Sequence, residues 1–507
     1  VTLGASGRFS LRDVVAGTSV GLVLIPQSMA YAELAGLPPH VGLYAGALPP
    51  IAAAFFASSP YLQTGPVALT ALLTLGALLP LATPGSAEFT ALAVLLALVV
   101  GVVRVLVGLL RGGSIAYFMS QPVLLGFTAG AAILILSSQL PGAVGATGVP
   151  AGGVLQRAAW VVTHPASWER ASVLMTLATV AVIQAGRRIH PLVPGVLIAT
   201  LGGLAWSAAT GYGGPTLGEV PRGFPTPSLD LPWTTLPALI VPGAIIALVG
   251  FAEAASIART FAANDRHPWD PDREFIGQGV ANLASALSGG FPVGGSFSRS
   301  SINRLAGARS RWSGGFTGVV VLAFLPVAWI LAPLPRAILS AIVLAAVVTL
   351  LRPRTLIGLW RISRPQAAAG TATFALTLLL SPRVDQAILV GVLLALGIHV
   401  WREMKPRLEM WTEGQTLHVR PEGVLWFGSA PELEKALLNV LGEDDRPRRL
   451  EIHLRALGRI DYTGAIILKQ LIGDAKVAGV AVELVEVPAH AHRILRKVLD
   501  WRPDDAA

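Results

Sequence analysis

Apolar runs long enough to cross a lipid bilayer, about 17 to 25 residues each, recur along the chain up to about residue 402, and nothing else restricts its fold so tightly. Hydrocarbon offers no partner to a backbone N–H or C=O, so such runs must become helices packed into a bundle. Fourteen spans are predicted, near 13–35, 41–58, 66–80, 88–110, 121–140, 171–186, 191–211, 236–258, 275–289, 296–307, 314–333, 337–351, 366–381 and 384–402. With 53% hydrophobic and 13% charged residues, the chain sits far from the soluble average of roughly a quarter charged. It reads as an α-helical polytopic membrane protein, surrounded by lipid.

The formal charge of +9 could suggest nucleic acid. The Lys and Arg residues, however, stand between apolar runs and are not interleaved with aromatics in a soluble module, so topology explains them better than a nucleic-acid partner. If the N-terminus is cytoplasmic, outside loops carry only Arg157, Arg170, Arg222, Arg336 and Arg383. Inside loops take the rest, from Arg111 and the Arg187–Arg188 pair to Arg309, Arg311 and the cluster from Arg352 to Arg364. This asymmetry predicts an inner (plasma) membrane protein with both termini cytoplasmic. No signal-peptide pattern opens the chain at Val1, and nothing there predicts cleavage for secretion.

Cysteine is absent, which excludes disulfides and thiolate metal sites. The nine histidines form no HExxH-like spacing, and His490 and His492, although close, fall on a predicted surface helix, so no metal site is expected. A P-loop, a nucleophile elbow and a cofactor motif are also lacking. The chain is therefore expected to be no enzyme and to need no cofactor; any transport would draw on ion gradients.

Within the spans, Phe291 to Arg304 (FPVGGSFSRSSINR) places polar and charged residues where apolar ones are expected. Pro292, Gly294 and Gly295 disfavour a helix up to about residue 295, whereas Ser296 to Ala306 can form a short one starting at mid-membrane. Its free N–H groups and dipole favour an anion there. Ser296, Arg299, Ser300 and Asn303 share one helical face by i, i+3, i+4, i+7 spacing. An arginine at this depth costs about 3 kcal/mol or more on insertion scales and usually faces a partner or a watery cavity. Alternatively, Arg299 snorkels to the rim and the glycines only permit close packing.

A second short span follows Thr64 to Thr70 (TGPVALT), and each short span begins roughly 50 to 60 residues after an earlier one starts, near residues 13 and 236. This predicts two copies of a seven-span unit. With an odd number of spans per copy, the second must be inverted, which brings the two short helices N-terminus to N-terminus near the midplane.

In the first span, Pro26 is expected to kink or break the helix, and Gln27 and Tyr31, four apart, can face one cavity. Glu33 lies about 200° round the helix from Tyr31, and so is expected at a helix interface. Gly42 and Gly46 allow the second span to pack closely. Together with GFAEAASIAR (Gly250 to Arg259) and FPVGGSFSRSSINR, the stretch GLVLIPQSMAYAELAGLPPHVGLYAGALPP (Gly21 to Pro50) resembles the sulfate permease family, the solute carrier 26 type of anion transporters. The resemblance covers nearly the whole chain. It implies a 7+7 inverted repeat in residues 1–405, divided into a core (spans 1–4 and 8–11) and a gate (spans 5–7 and 12–14), and a homodimer.

By that resemblance the anion lies between the N-termini of spans 3 and 10. This implicates Gln27 and Tyr31, Val67, Ala68 and Thr70 at span 3, and Ser298 and Arg299 at span 10, beside Ser296 and Asn303 from the face described above. Many animal relatives carry Phe where Tyr31 stands. Glu253, Ser256 and Thr260 share a face of span 8. A carboxylate buried there can carry a proton if it is unpaired, or serve as a fixed partner of Arg299. Glu33 is the other coupling candidate. Arg104 is expected to snorkel or to bridge helices.

Beyond Trp401 charges become frequent, and a soluble cytoplasmic domain is predicted over 406–507. Strands are expected at Thr416–Arg420, Val424–Phe427, Arg448–Leu454 and Val480–Val487, with helices at 431–441, 463–478 and 489–500, an α/β order. RIDYTGAIILKQLI (Arg459 to Ile472) resembles the signature of the STAS domain, which in anti-sigma-factor antagonists carries a phosphorylatable serine after the Asp. Tyr462 stands at that place, so an N-cap role for Asp461 is expected instead. A cytoplasmic protein partner of this domain is a further expectation.

These readings converge on secondary active transport of a small anion by alternating access: proton-coupled symport of a dicarboxylate (fumarate-like) or of sulfate. The alternatives are an uncoupled chloride or bicarbonate channel or exchanger, a sodium-coupled bicarbonate transporter, or a transporter-like sensor signalling through the STAS domain. A nucleobase-type symporter would share the architecture, but Arg299 and the STAS domain argue against it.

Overall fold

The computed structural model describes residues 10–118, 120–224, 230–266, 268–442 and 447–500; the first nine and last seven residues of the predicted domains lie outside that set. Two compact units are present, residues 1–392 and 393–507.

In the first unit, α1 (Leu11–Leu34), α2 (Pro39–Phe56), β1 (Thr64–Gly65), α3 (Ala68–Leu78) and α4 (Ala87–Leu109) are followed by α5 (Gln121–Ala143), α6 (Val154–Thr163), α7 (Arg170–Ile189) and α8 (Gly195–Thr210). The series then restarts with α9 (Leu236–Asp265), α10 (Pro271–Leu287), β2 (Gly294–Gly295), α11 (Phe297–Leu305) and α12 (Trp312–Phe324). It closes with α13 (Arg336–Val347), α14 (Pro353–Ile362), α15 (Arg364–Leu379) and α16 (Val384–Glu403), the last of which runs across the boundary between the units. Each of the fourteen expected spans coincides with one of these helices. Seven helical stretches among the described residues are long and apolar enough to cross a membrane on their own, and the others are shorter or less apolar.

Two helices, α6 and α14, are not among the expected spans. In α14, Ile357, Trp360 and Ile362 are exposed alongside Arg354 and Arg361, an amphipathic pattern that a search for continuous apolar runs passes over. The expected break in α1 does not occur, because the helix runs on through Pro26.

The packing follows a two-fold rule. If α1, α2, α3, α4, α5 and α7 are exchanged for α9, α10, α11, α12, α13 and α15, the main contacts map onto one another. Helix α4 packs on α10 as α2 does on α12, α1 on α12 as α4 on α9, and α5 on α15 as α7 on α13. The pairs α2 with α10 and α5 with α13 map onto themselves. This is the inverted repeat. Close approach is built into it: a Cβ at Gly42 would overlap the Ser28 carbonyl of α1, so only glycine fits where α1 meets α2.

The second unit is an α/β layer. Strands β3 (Arg407–Glu413), β4 (Thr416–Leu425), β5 (Arg449–His453) and β7 (Ala481–Val485) pair in the order β3-β4-β5-β7, and β6 (Leu457–Ile460) pairs with β4. Helices α17 (Ala430–Leu441), α18 (Tyr462–Val477) and α19 (Ala489–Leu499) match the three expected. Leu417, Val419, Leu450, Ile452 and Leu484 alternate along the strands and pack with Leu433, Leu437, Leu468, Leu471 and Leu495 of the helices, giving the unit its own core. The two strands expected at 416–420 and 424–427 are one. Gly423, at φ 103°, absorbs an irregularity in the β4–β6 register that lets the strand continue. The expectation missed β3, a largely exposed edge strand, and β6, which is four residues long. Asp461 caps α18, its carboxylate accepting from the Gly464 N–H at 2.7 Å.

Candidate anion-binding site

At the centre of the first unit, two non-helical segments meet. β1 and β2 pair antiparallel, with Thr64 opposite Gly295 and Gly65 opposite Gly294. The Ser296 N–H extends the ladder by donating to the Gln63 carbonyl at 3.0 Å. Unwound backbone at this depth is tolerable because each strand satisfies the other. Antiparallel pairing also sets the geometry, since α3 leaves β1 and α11 leaves β2 with their N-termini on the shared ladder.

The polar face of α10 holds this crossing in place. The Asn282 amide brackets Val293, donating to its carbonyl at 3.1 Å and accepting from its N–H at 2.9 Å. Ser285 donates to the Phe291 carbonyl at 2.7 Å, and Gln278 to the Thr64 hydroxyl at 2.7 Å. Arg104, fully buried in α4, donates to the carbonyls of Ala247 at 3.0 Å, Val293 at 2.9 Å and Ile246 at 3.3 Å. Of the two roles expected for Arg104, the structure assigns helix bridging.

The helix ends differ in chemistry. Val67 has no side chain able to cap α3, so the amides of its first turn keep their donors free of side-chain competition. Ser296 caps α11 only at the 3.5 Å limit from the Arg299 N–H, and its hydroxyl lies 3.3 Å from that of Ser298, which is exposed. Ala68 and Val67 are buried around this point, while Thr70 turns its hydroxyl back to the Val67 carbonyl at 3.2 Å.

Arg299 is 1% exposed, and none of its three guanidinium nitrogens has a hydrogen-bond partner in the protein. A Cβ placed on Gly65 would sit 3.5 Å from its Nη2, so the guanidinium lies against the ladder. The ionisable groups that it feels are Tyr31 on α1 and Glu253 on α9, neither of them hydrogen-bonded to it. Gln27, one turn before Tyr31 on α1, is likewise buried, with Oε1 unpaired. Helix α1 packs on both α3 and α11, and α9 packs on the same two helices.

Two of the expected residues have other engagements. Asn303, a turn further along α11, donates to the Tyr61 carbonyl at 3.1 Å and the Ser313 hydroxyl at 2.8 Å, tying α11 to its neighbours. Glu33 faces Arg336 of α13 at 3.5 Å, the helix interface expected from its angular position. Ser300 accepts from the Gln63 N–H at 2.9 Å, anchoring β1. Sequence reasoning did not single out Asp13, whose carboxylate receives the Arg309 and Ser310 amides at 2.7 and 2.9 Å. It also passed over Glu274, which receives those of Ser58 and Ser59 at 3.1 and 2.8 Å. Both are acidic residues in the first turn of a helix, a pattern readable in sequence, but their partners are distant loops.

Comparison with known proteins shows the family. The profile of the Sulfate permease family matches residues 11–373, and that of the STAS domain matches residues 407–498. The chain belongs to the sulfate permease family. It is therefore a membrane-embedded, multi-pass anion transporter and not an enzyme. A protein of Mycobacterium tuberculosis described as a "Probable sulfate transporter" is 34% identical over 398 residues, covering 78% of this chain and 70% of that one. The "Sodium-independent sulfate anion transporter" of Bos taurus is 29% identical over 525 residues, covering 95% and 85%. Among solved structures, the murine Solute Carrier 26 family member A9 anion transporter, in an inward-facing state, superposes with a TM-score of 0.89 at 20% identity, covering 96% of this chain and 87% of that one. This member of the family thus shares that fold in both of its parts.

Proposed function

We propose that this family member is a proton-coupled symporter of a dianion, sulfate or a small dicarboxylate, and that the anion binds at Arg299 between the first turns of α3 and α11. The observation that carries the reading is a fully buried guanidinium with every nitrogen free of protein partners, beside two converging helix N-termini. Gln27, Tyr31, Val67, Ala68, Thr70, Ser296 and Ser298 surround the anion in this reading, and Asn303 holds α11 in place beneath it.

Charge arithmetic favours a dianion. Each helix N-terminus contributes about half an elementary charge, so two termini and Arg299 present about two positive charges. Ionised Glu253 would cancel one of them. Protonating it restores the match to a dianion, so dianion and proton bind most favourably together, which is the thermodynamic basis of symport. Sulfate has precedent in the names of the mycobacterial and bovine relatives. The bovine name, sodium-independent, fits a proton better than sodium as the driving ion.

Transport follows if a core of α1–α4 and α9–α12 moves against a gate of α5, α7, α8, α13, α15 and α16, carrying the site from one side to the other. In this reading the protein is a plasma-membrane homodimer with both termini, and with them the STAS domain, in the cytoplasm; the distribution of loop charges supports that orientation.

Uptake of labelled sulfate, fumarate, succinate and bicarbonate into proteoliposomes, with a proton gradient, a sodium gradient or neither, tests the proposal. Accumulation of a dianion driven by inward protons alone is expected. Chloride or bicarbonate moving only down its own gradient would overturn symport in favour of a channel or exchanger.

A further inference from the structure

The STAS sheet carries a cluster that plays no part in the proposed transport site. Leu417, Val419, Leu450 and Ile452 point from β4 and β5 into the core, so the alternate residues occupy the opposite face. β4 and β5 are parallel, with His418 directly opposite Glu451, and His453 lies two residues along β5 on that same face. Three ligand-type atoms converge there. His418 Nδ1 is 3.1 Å from His453 Nε2 and 3.2 Å from Glu451 Oε2, and His453 Nε2 is 3.9 Å from that same oxygen. Ligand atoms about 2.0–2.1 Å from a tetrahedral zinc ion stand about 3.3 Å apart, so this triangle has nearly the size that one ion requires.

The surroundings point the same way. Each imidazole turns its other nitrogen towards a second carboxylate, His453 Nδ1 to Glu486 at 3.5 Å and His418 Nε2 to Glu413 at 3.9 Å. That is how outer-sphere carboxylates fix the tautomer and orientation of metal-bound histidines. The other oxygen of Glu451, Oε1, is engaged by Arg449 Nε at 3.2 Å, and Arg449 also pairs with Glu483, leaving Oε2 for the cluster. The indole of Trp411 stacks on His418 with centroids 5.0 Å apart and planes 8° from parallel, which restrains the ring. Without an ion, His418 Nδ1 has at most one proton to share between two acceptors. A cation satisfies all three lone pairs at once. The histidine side chains are 12% and 14% exposed, shielded but within reach of solvent.

We propose that the STAS domain binds a divalent transition-metal ion of the zinc type through His418 Nδ1, Glu451 Oε2 and His453 Nε2, with water completing the coordination. Two imidazoles and one carboxylate suit zinc and its first-row neighbours better than magnesium or calcium, which prefer oxygen alone.

The test uses the full chain, purified in detergent without a histidine tag and stripped with a chelator. Zinc titration should show one ion per chain retained through dialysis, and cobalt(II) should give the strong visible bands of a tetrahedral site. Zinc should also raise the unfolding temperature. His418→Ala and His453→Ala should abolish retention, and the near-isosteric Glu451→Gln should weaken it at least about tenfold. The exposed His490→Ala should leave it unchanged. If a cysteine-free, folded Glu451→Gln chain binds zinc as tightly as the parent, or if the parent retains none, the proposal is wrong.

Discussion

Among the described residues, two arginines are fully buried in the transport unit, and their surroundings are opposite. The Arg104 guanidinium donates three hydrogen bonds to backbone carbonyls, whereas that of Arg299 donates none within the protein. A charge-assisted bond contributes about 1.5–3 kcal/mol, and acceptors left unpaired add to the loss. Arg104→Leu should therefore lower stability by about 3–5 kcal/mol, seen as an early transition in detergent thermal unfolding. Arg299→Leu removes a buried charge whose desolvation no hydrogen bond within the protein offsets, so its transition should stay in place or rise, while dianion uptake falls to background. An equal loss of stability in both variants would mean that Arg299 is structural. Glu253→Gln tests the coupling at the same scale. It keeps the shape but carries no proton, and downhill sulfate exchange should persist while proton-driven accumulation disappears in proteoliposomes.

At the scale of elements, the site depends on α10 presenting a polar edge to two stretches of unwound chain. Gln278, Asn282 and Ser285 stand at helical spacing, and that face is legible in the sequence; the Val293, Phe291 and Thr64 groups that it satisfies are not. Asn282→Leu should leave the Val293 N–H unpaired and cost about 1–3 kcal/mol. Because Val293 precedes α11 by only a few residues, anion affinity should fall with it, as isothermal titration with sulfate would show; unchanged affinity would mean that α10 does not position the site. The same contrast explains what else could be read in advance. Spans and their inverted order follow from apolar runs and from the paired TGPVALT and FPVGGS stretches, which are local patterns. The amphipathic α14 escaped because its apolar residues never run more than two together. The meeting of His418 with Glu451 and His453 escaped because strand register, not spacing along the chain, makes the cluster.

For the whole molecule, the proposed motion of core against gate makes a prediction at a place where the two touch. Glu33 ends α1 and Arg336 begins α13, and the two are 3.5 Å apart although they belong to different moving parts in that scheme. With Arg336 half-exposed, an ion pair of this kind contributes only about 0–1 kcal/mol, so neutralising it should barely change the rate. Its value lies in reporting proximity. The chain contains no cysteine, so Glu33→Cys with Arg336→Cys gives a pair free of background thiols. Joining the two with a short, cleavable bifunctional thiol reagent should stop uptake, and reduction should restore it, whereas capping each thiol separately should leave most of the activity. In that scheme the site reaches both sides of the membrane only if α1 and α13 separate or slide during each cycle. Full uptake by completely cross-linked protein would mean that these helices move together, and the boundary between core and gate would have to lie elsewhere.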